Sequence, residues 1–115
     1  MEKFGPIIDC SIEDINRLEE VRIRTVGEVM NVDDIGIFII KDGRDNKIVC
    51  MPSPDMKDKP NISDLVCVTG KIVKSDGGPE LRVDNIEKIS EKDADNFNKY
   101  LKIRGELLDN GSGNK

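Results

Sequence analysis

Residues 64–89, DLVCVTGKIVKSDGGPELRVDNIEKI, decide how this chain folds. Two apolar runs of period two, 65–74 and 81–89, flank the break Ser75, Asp76, Gly77, Gly78 and Pro79. Alternation of this kind predicts strands buried on one face, and the glycine-rich break predicts a hairpin between them. Val66, Val68, Gly70 and Ile72 share one face of the first run. Leu81, Val83, Ile86 and Ile89 are the core contacts expected of the second.

Three more strands precede this hairpin. In residues 21–29, Val21, Ile23, Thr25, Gly27 and Val29 fall on one face, with Arg22, Arg24 and Glu28 opposite. Gly27 inside the run predicts a bend or bulge. Residues 31–34 are a polar break, and 35–41 (IGIFIIK) form a second apolar strand. Asp42-Gly43 is a turn pair, after which 47–51 (KIVCM) form a short third strand. Residues 52–63 carry Pro52, Pro54 and Pro60 and read as a loop with at most one helical turn. Both ends read as helix. Ser11 with Asp14 signals the start of a short helix over 12–18, and Ser90, Glu91 and Asp93 signal another. From there Ala94, Phe97, Tyr100, Leu101, Ile103, Leu107 and Leu108 recur at three- and four-residue spacing. The expected organisation is an acidic arm with a short helix (1–20), a strand domain (21–89), an amphipathic helix (90–108) and a flexible tail (109–115).

Composition narrows the function. The 115 residues hold 18 Lys plus Arg against 23 Asp plus Glu, a net charge of −5. Residues 1–20 alone contribute −4, so the strand region is close to neutral, and the arm is expected to be simply solvated. No apolar run is long enough to span a membrane, and the start lacks the apolar core of a secretory signal. The chain is therefore expected to be intracellular, cytoplasmic in a prokaryote or nuclear in a eukaryote. Histidine is absent, which removes the commonest general base and metal ligand. Cys10, Cys50 and Cys67 stand far apart without a C-x-x-C pair, against a zinc site. No phosphate-cradling glycine motif is present. These observations point away from an enzyme and imply no cofactor and no metal.

Five short strands must close on themselves to bury one face and protect their edges, and a small barrel does both. A long first strand with a central glycine suits the curved strand shared by both halves of a five-stranded Greek-key barrel. The fold class expected is thus all-β with flanking helices: an oligonucleotide/oligosaccharide-binding (OB) barrel with a short N-terminal helix and a C-terminal amphipathic helix. The segment VRIRTVGEVMNV through DLVCVTGKIVK, SDGGPE and LRVDNIEKI resembles the OB domains of the replication protein A family, over roughly residues 20–90. The lead-in IIDCSIEDI and the helix after the last strand resemble its middle and small subunits, and its telomeric relatives share that layout.

The resemblance implies single-stranded DNA as ligand, bound across the second and third predicted strands and gripped by the loops joining strands one to two and four to five. On those strands the candidates are Phe38, Lys41, Arg44 and Lys47. Arg22 and Arg24 lie on the outer face of the first strand, and Lys71, Lys74 and Arg82 flank the four-five loop. Phe38 is either a stacking platform or core, since an all-apolar strand hides both faces. The loops carry Asp33, Asp34, Asp76 and Glu80 where phosphates would approach, so direct binding is expected to be weak. The resemblance further implies that the terminal helix packs against a larger OB-fold subunit or a second copy, through Phe97, Tyr100, Leu101, Ile103, Leu107 and Leu108. Two functions follow: a non-catalytic subunit of a replication-protein-A-like complex in DNA replication or repair, or an adaptor of a telomere or helicase complex that touches no nucleic acid.

Overall fold

The computed structural model describes residues 6–18, 20–56 and 59–113; the side chains of Asn16 and of residues 106–113 are outside that description. In chain order the elements are β1 (Ile7–Asp9), a 3₁₀ helix (Ile12–Arg17), β2 (Arg22–Val32), β3 (Phe38–Lys41), β4 (Lys47–Pro52), β5 (Leu65–Ser75), β6 (Gly78–Lys88) and α1 (Glu91–Gly113). Strands β2 to β6 are the five expected, and β1 is an addition. They follow the order β2-β3-β4-β6-β5, and β5 pairs back onto β2, which closes the barrel. Within the barrel all neighbours are antiparallel except β4 with β6. This is the Greek-key closure of an OB fold.

Strand parity sets the core. Ile23, Val29, Phe38, Ile40, Ile48, Cys50, Val66, Val68, Ile72, Leu81 and Val83 point inward and are buried. Ile86 packs at the edge of this cluster, whereas Ile89 stays outside it; its amide donates to the Leu65 carbonyl at the barrel rim. The second predicted strand starts late, at Phe38 rather than residue 35. Asp33 Oδ1 accepts the amides of Ile35 (3.0 Å) and Ile37 (2.9 Å), and Gly36 has φ of 96°. That side-chain capture replaces ladder bonding with a turn.

The acidic arm is not simply solvated. Cys10, Ile12 and Ile15 are buried in the same core, so the 3₁₀ helix plugs one end of the barrel. Ser11 caps it as expected, its Oγ accepting the Asp14 amide at 3.3 Å. Gly27 faces this plug: a side-chain carbon there would sit 3.1 Å from Ile12 Cδ1 and 2.9 Å from the Lys41 carbonyl oxygen. The bulge in β2 falls later, between Val29 and Asn31. The missing element, β1, runs parallel to β2 with Ile7, Ile8 and Asp9 opposite Arg22, Ile23 and Arg24. A three-residue strand gives almost no period to detect.

Helix α1 begins as expected, with Ser90 Oγ accepting the Asp93 amide at 3.1 Å. It lies on the outside of β2 and β5 and does not enter the barrel. Val26, an outward residue of β2, is only 7% exposed yet stands apart from the barrel core. The half-buried stripe of α1 is Ala94, Phe97, Leu101 and Arg104. Arg104 donates to the Asp9 backbone carbonyl and stacks 5.5 Å from the Tyr100 ring centre. Asp9 also holds Arg24 through both carboxylate oxygens, at 2.8 and 3.1 Å. One residue therefore ties β1, β2 and α1 together. Arg104→Ala is expected to leave the urea midpoint of the barrel nearly unchanged. Amide exchange in α1 and β1 should rise about tenfold, the value of one hydrogen bond from a charged donor. Unaltered exchange in both elements would show that this contact carries nothing.

Candidate nucleic-acid interface

The outer face of β3, β4 and β6 is set by the same parity that fills the core. With Phe38 and Ile40 inside, Ile39 and Lys41 point outward; with Ile48 and Cys50 inside, Lys47, Val49 and Met51 do. The register lays these residues in three rows. Lys41 stands opposite Lys47. Ile39 stands opposite Val49, which neighbours Glu80. Met51 neighbours Arg82, which faces Lys71, which faces Arg22. The face is thus a half-buried apolar strip, Ile39, Val49 and Met51, between a lysine pair and a row of three cations. Lys47 and Met51 are four residues apart, so the two cationic rows are separated by roughly 13 Å at the rise of an extended strand.

Its charges are partly spent. Arg22 is held by Asp84, with Nη2 to Oδ1 at 2.7 Å and Nε to Oδ2 at 3.1 Å. Lys71 meets Glu20 at 3.2 Å between exposed side chains. Glu28 of β2 lies beside Lys41 in register. Arg24 does not share this face: it sits over β1 and α1, where the hydrogen bond to Asp9 raises its pKa further. Arg44 is exposed on the loop before β4 and reaches Glu13 at 3.7 Å, a separation worth little in water. That loop is stiff. Burial opposes the charge of Asp42, but the Asn46 side chain and the amides of Arg44 and Asn46 outweigh it and hold this carboxyl below its usual range. Lys74 is exposed beside the hairpin.

The alternative left open at Phe38 closes in favour of the core, and the expected four-five loop needs correction. Phe38 is 0% exposed, packed in the core opposite Cys50 and Val32, so no base can stack on it. β3 and β4 contain no other aromatic residue. The four-five loop is only Asp76 and Gly77, because Ser75 and Gly78 already pair. Ser75 Oγ further ties the turn, donating to the Gly78 carbonyl at 3.0 Å. The expected loop is thus a tight hairpin turn between paired strands. The apolar strip was not anticipated, although fixing Phe38 and Ile40 as core would have exposed it.

On the helix side, Tyr100 is 49% and Ile103 57% exposed, while Phe97 and Leu101 are half-buried against the barrel. Leu107 and Leu108, also expected at a partner interface, lie outside the described residues. Among the described residues no cluster of side chains could hold a metal ion, and no helix is long and apolar enough to cross a membrane. Burial, then the nearby Asp14, pushes the Cys10 thiol up to about 12, and burial raises Cys50 and Cys67 as well. These thiols are kept neutral by their surroundings, which suits packing rather than nucleophilic chemistry.

Barrel closure, the terminal helix and the placement of the outer face define an OB-fold protein. No protein-family model and no curated protein matches the chain. Its fold is similar to the S. pombe Stn1–Ten1 complex (TM-score 0.69, 18% identity, 89% of this chain and 94% of that one). It is also similar to U. maydis replication protein A bound to single-stranded DNA (0.65, 20%, 93% and 94%). A replication protein A heterotrimer bound to single-stranded DNA gives 0.73 at 12% identity, over 90% and 98% of the two chains. At these identities the likeness establishes the fold, and it extends over nearly the whole length of each chain.

Proposed function

We propose that this chain is a non-catalytic, intracellular OB-fold subunit of a single-stranded DNA-binding complex of the replication protein A or telomere-capping type. It contacts a strand weakly across β3, β4 and β6 and joins its partners through α1. The observation that carries the DNA contact is the Lys41–Lys47 pair. Like charges directly opposite on two strands destabilise a sheet; Glu28 offsets this on the Lys41 side alone, and an anion over the pair relieves the rest. The apolar strip beside them gives bases a flat surface, and Arg82 and Lys71, in register beyond Met51, offer further phosphate partners. The partner reading rests on Tyr100 and Ile103, which the barrel leaves uncovered, and on neighbours whose structures are a Stn1–Ten1 complex and a heterotrimer.

Oligo(dT) binding followed by fluorescence anisotropy tests the contact. The salt slope is expected to be shallow, with about two or three phosphates neutralised. Lys41→Glu with Lys47→Glu is expected to weaken binding at least tenfold at low salt and to flatten the slope by about one to two units. Unchanged affinity in that variant would remove the lysine pair from the interface. The adaptor reading, without DNA, has its own support: no aromatic side chain on β3 or β4 faces outward. No binding by wild-type protein at low salt, with α1 still pairing to another OB subunit, would favour it.

A further inference from the structure

The loop joining β2 to β3 lies at an end of the barrel and does not look like a DNA clamp. Ile35 is 76% exposed at its tip, and Ile62, in the loop before β5, is 60% exposed. They are the two most exposed large apolar side chains among the described residues. The loops that carry them are packed together. Residues 33–36, 52–54, 56 and 59–62 line two adjoining depressions that share Lys59 and Pro60, with Ile35 on one and Ile62 on the other. Pro52, Pro54, Met56 and Pro60 extend the apolar floor. Asp33 and Asp34 rim it, and Asp55 stands between Pro54 and Met56 in the neighbouring turn.

Ile35 is presented rather than loose. Asp33 accepts the amides of Ile35 and Ile37 on one carboxylate oxygen, and its own amide donates to the Ile37 carbonyl at 2.9 Å. A partner therefore meets an ordered tip, and the entropy of fixing that loop is already spent in folding. The same carboxylates repel a phosphate backbone, and among the described residues Lys59 is the one cation lining the two depressions.

We infer that this end of the barrel docks a basic, apolar segment of a protein partner, with Ile35 and Ile62 as anchors and Asp34 and Asp55 facing its cations. This goes beyond the DNA reading and uses none of its residues, so a strand on β3 and β4 and a peptide here can bind together. Charge chooses the occupant: an apolar patch rimmed by carboxylates selects Lys- or Arg-bearing peptide over nucleic acid.

The test uses the whole chain with isoleucine methyl groups labelled for NMR. The probes are a short synthetic peptide alternating Lys or Arg with Ile or Leu, an acidic counterpart alternating Glu with Ile or Leu, and oligo(dT). The basic peptide is expected to shift the Ile35 and Ile62 methyls saturably. Ile35→Ser and Ile62→Ser should each weaken it about tenfold, the change expected on losing one buried aliphatic anchor. Asp34→Lys should weaken it further and steepen its loss with salt. Both isoleucines are exposed, so the serine variants keep the fold. Equal binding of the acidic peptide, no saturable shift with the basic one, or undiminished binding by both serine variants would overturn the inference. So would oligo(dT) shifting the same two methyls.

Discussion

Gly70→Ala is expected to cost about 3 kcal/mol or more of folding stability. Gly70 is buried in β5 where the register with β6 slips between Thr69 and Gly70. A side-chain carbon there would lie 2.7 Å from the carbonyl carbon of Arg82 and 2.8 Å from Cα of Val83. Both are backbone atoms of β6, so no rotamer change relieves the clash; the two strands must separate. β5 and β6 share the longest ladder in the barrel, and β5 also closes it against β2. Separation at this point therefore strains the closure itself. Gly77→Ala supplies the control. A carbon at Gly77 meets nothing within 4 Å, and its φ is not in the left-handed range, so its effect should stay within about 0.5 kcal/mol. Urea unfolding of the two variants, followed by circular dichroism, decides the matter. Equal midpoints would mean that β6 yields freely and that Gly70 has no special place in the barrel.

The glycine also shows what the sequence carried. Val66, Val68, Gly70 and Ile72 were legible as one face because a strand has period two, and that face is the core. The same rule placed β2 to β6 and therefore the barrel. It gave no account of why glycine is needed at position 70, since the reason is the backbone of a strand twelve residues away. β1 was illegible for a related cause: its three residues pair with β2 where Asp9 meets Arg24 and Arg104, residues distant in sequence. The arm looked like a solvated acidic stretch because its charges outnumber its isoleucines; Ile12 and Ile15 nevertheless fill the barrel end. The site was less legible than the fold. Listing Lys and Arg named Lys41, Lys47, Lys71 and Arg82 as candidates, but it could not see that Asp84 and Asp9 already hold Arg22 and Arg24.

Phe38→Ala is expected to be among the most damaging single changes in the chain, at about 3–5 kcal/mol. Phe38 leads the ranking by volume of the fully buried side chains among the described residues, and it lies where β3 meets both β2 and β4. Its neighbours in the core, Ile40, Ile48, Cys50 and Leu81, sit on strands held by ladders on both sides, so the cavity cannot collapse without moving the sheet. A domain of this size is stable by only about 5–15 kcal/mol, and at the lower end of that range a loss of this size leaves a measurable unfolded fraction. The alanine variant alone would therefore confuse lost folding with lost binding. Phe38→Leu removes that ambiguity: it keeps the site apolar and most of the volume, and should cost about 1–2 kcal/mol. Measured well below its melting temperature, the leucine variant is expected to bind oligo(dT) within twofold of wild type. The reason is geometric, since the proposed DNA contact of β3 runs through Ile39 and Lys41 on its other face. A tenfold loss of binding by folded Phe38→Leu protein would mean that the ring leaves the core to stack on a base, and the inside and outside of β3 would have to be exchanged.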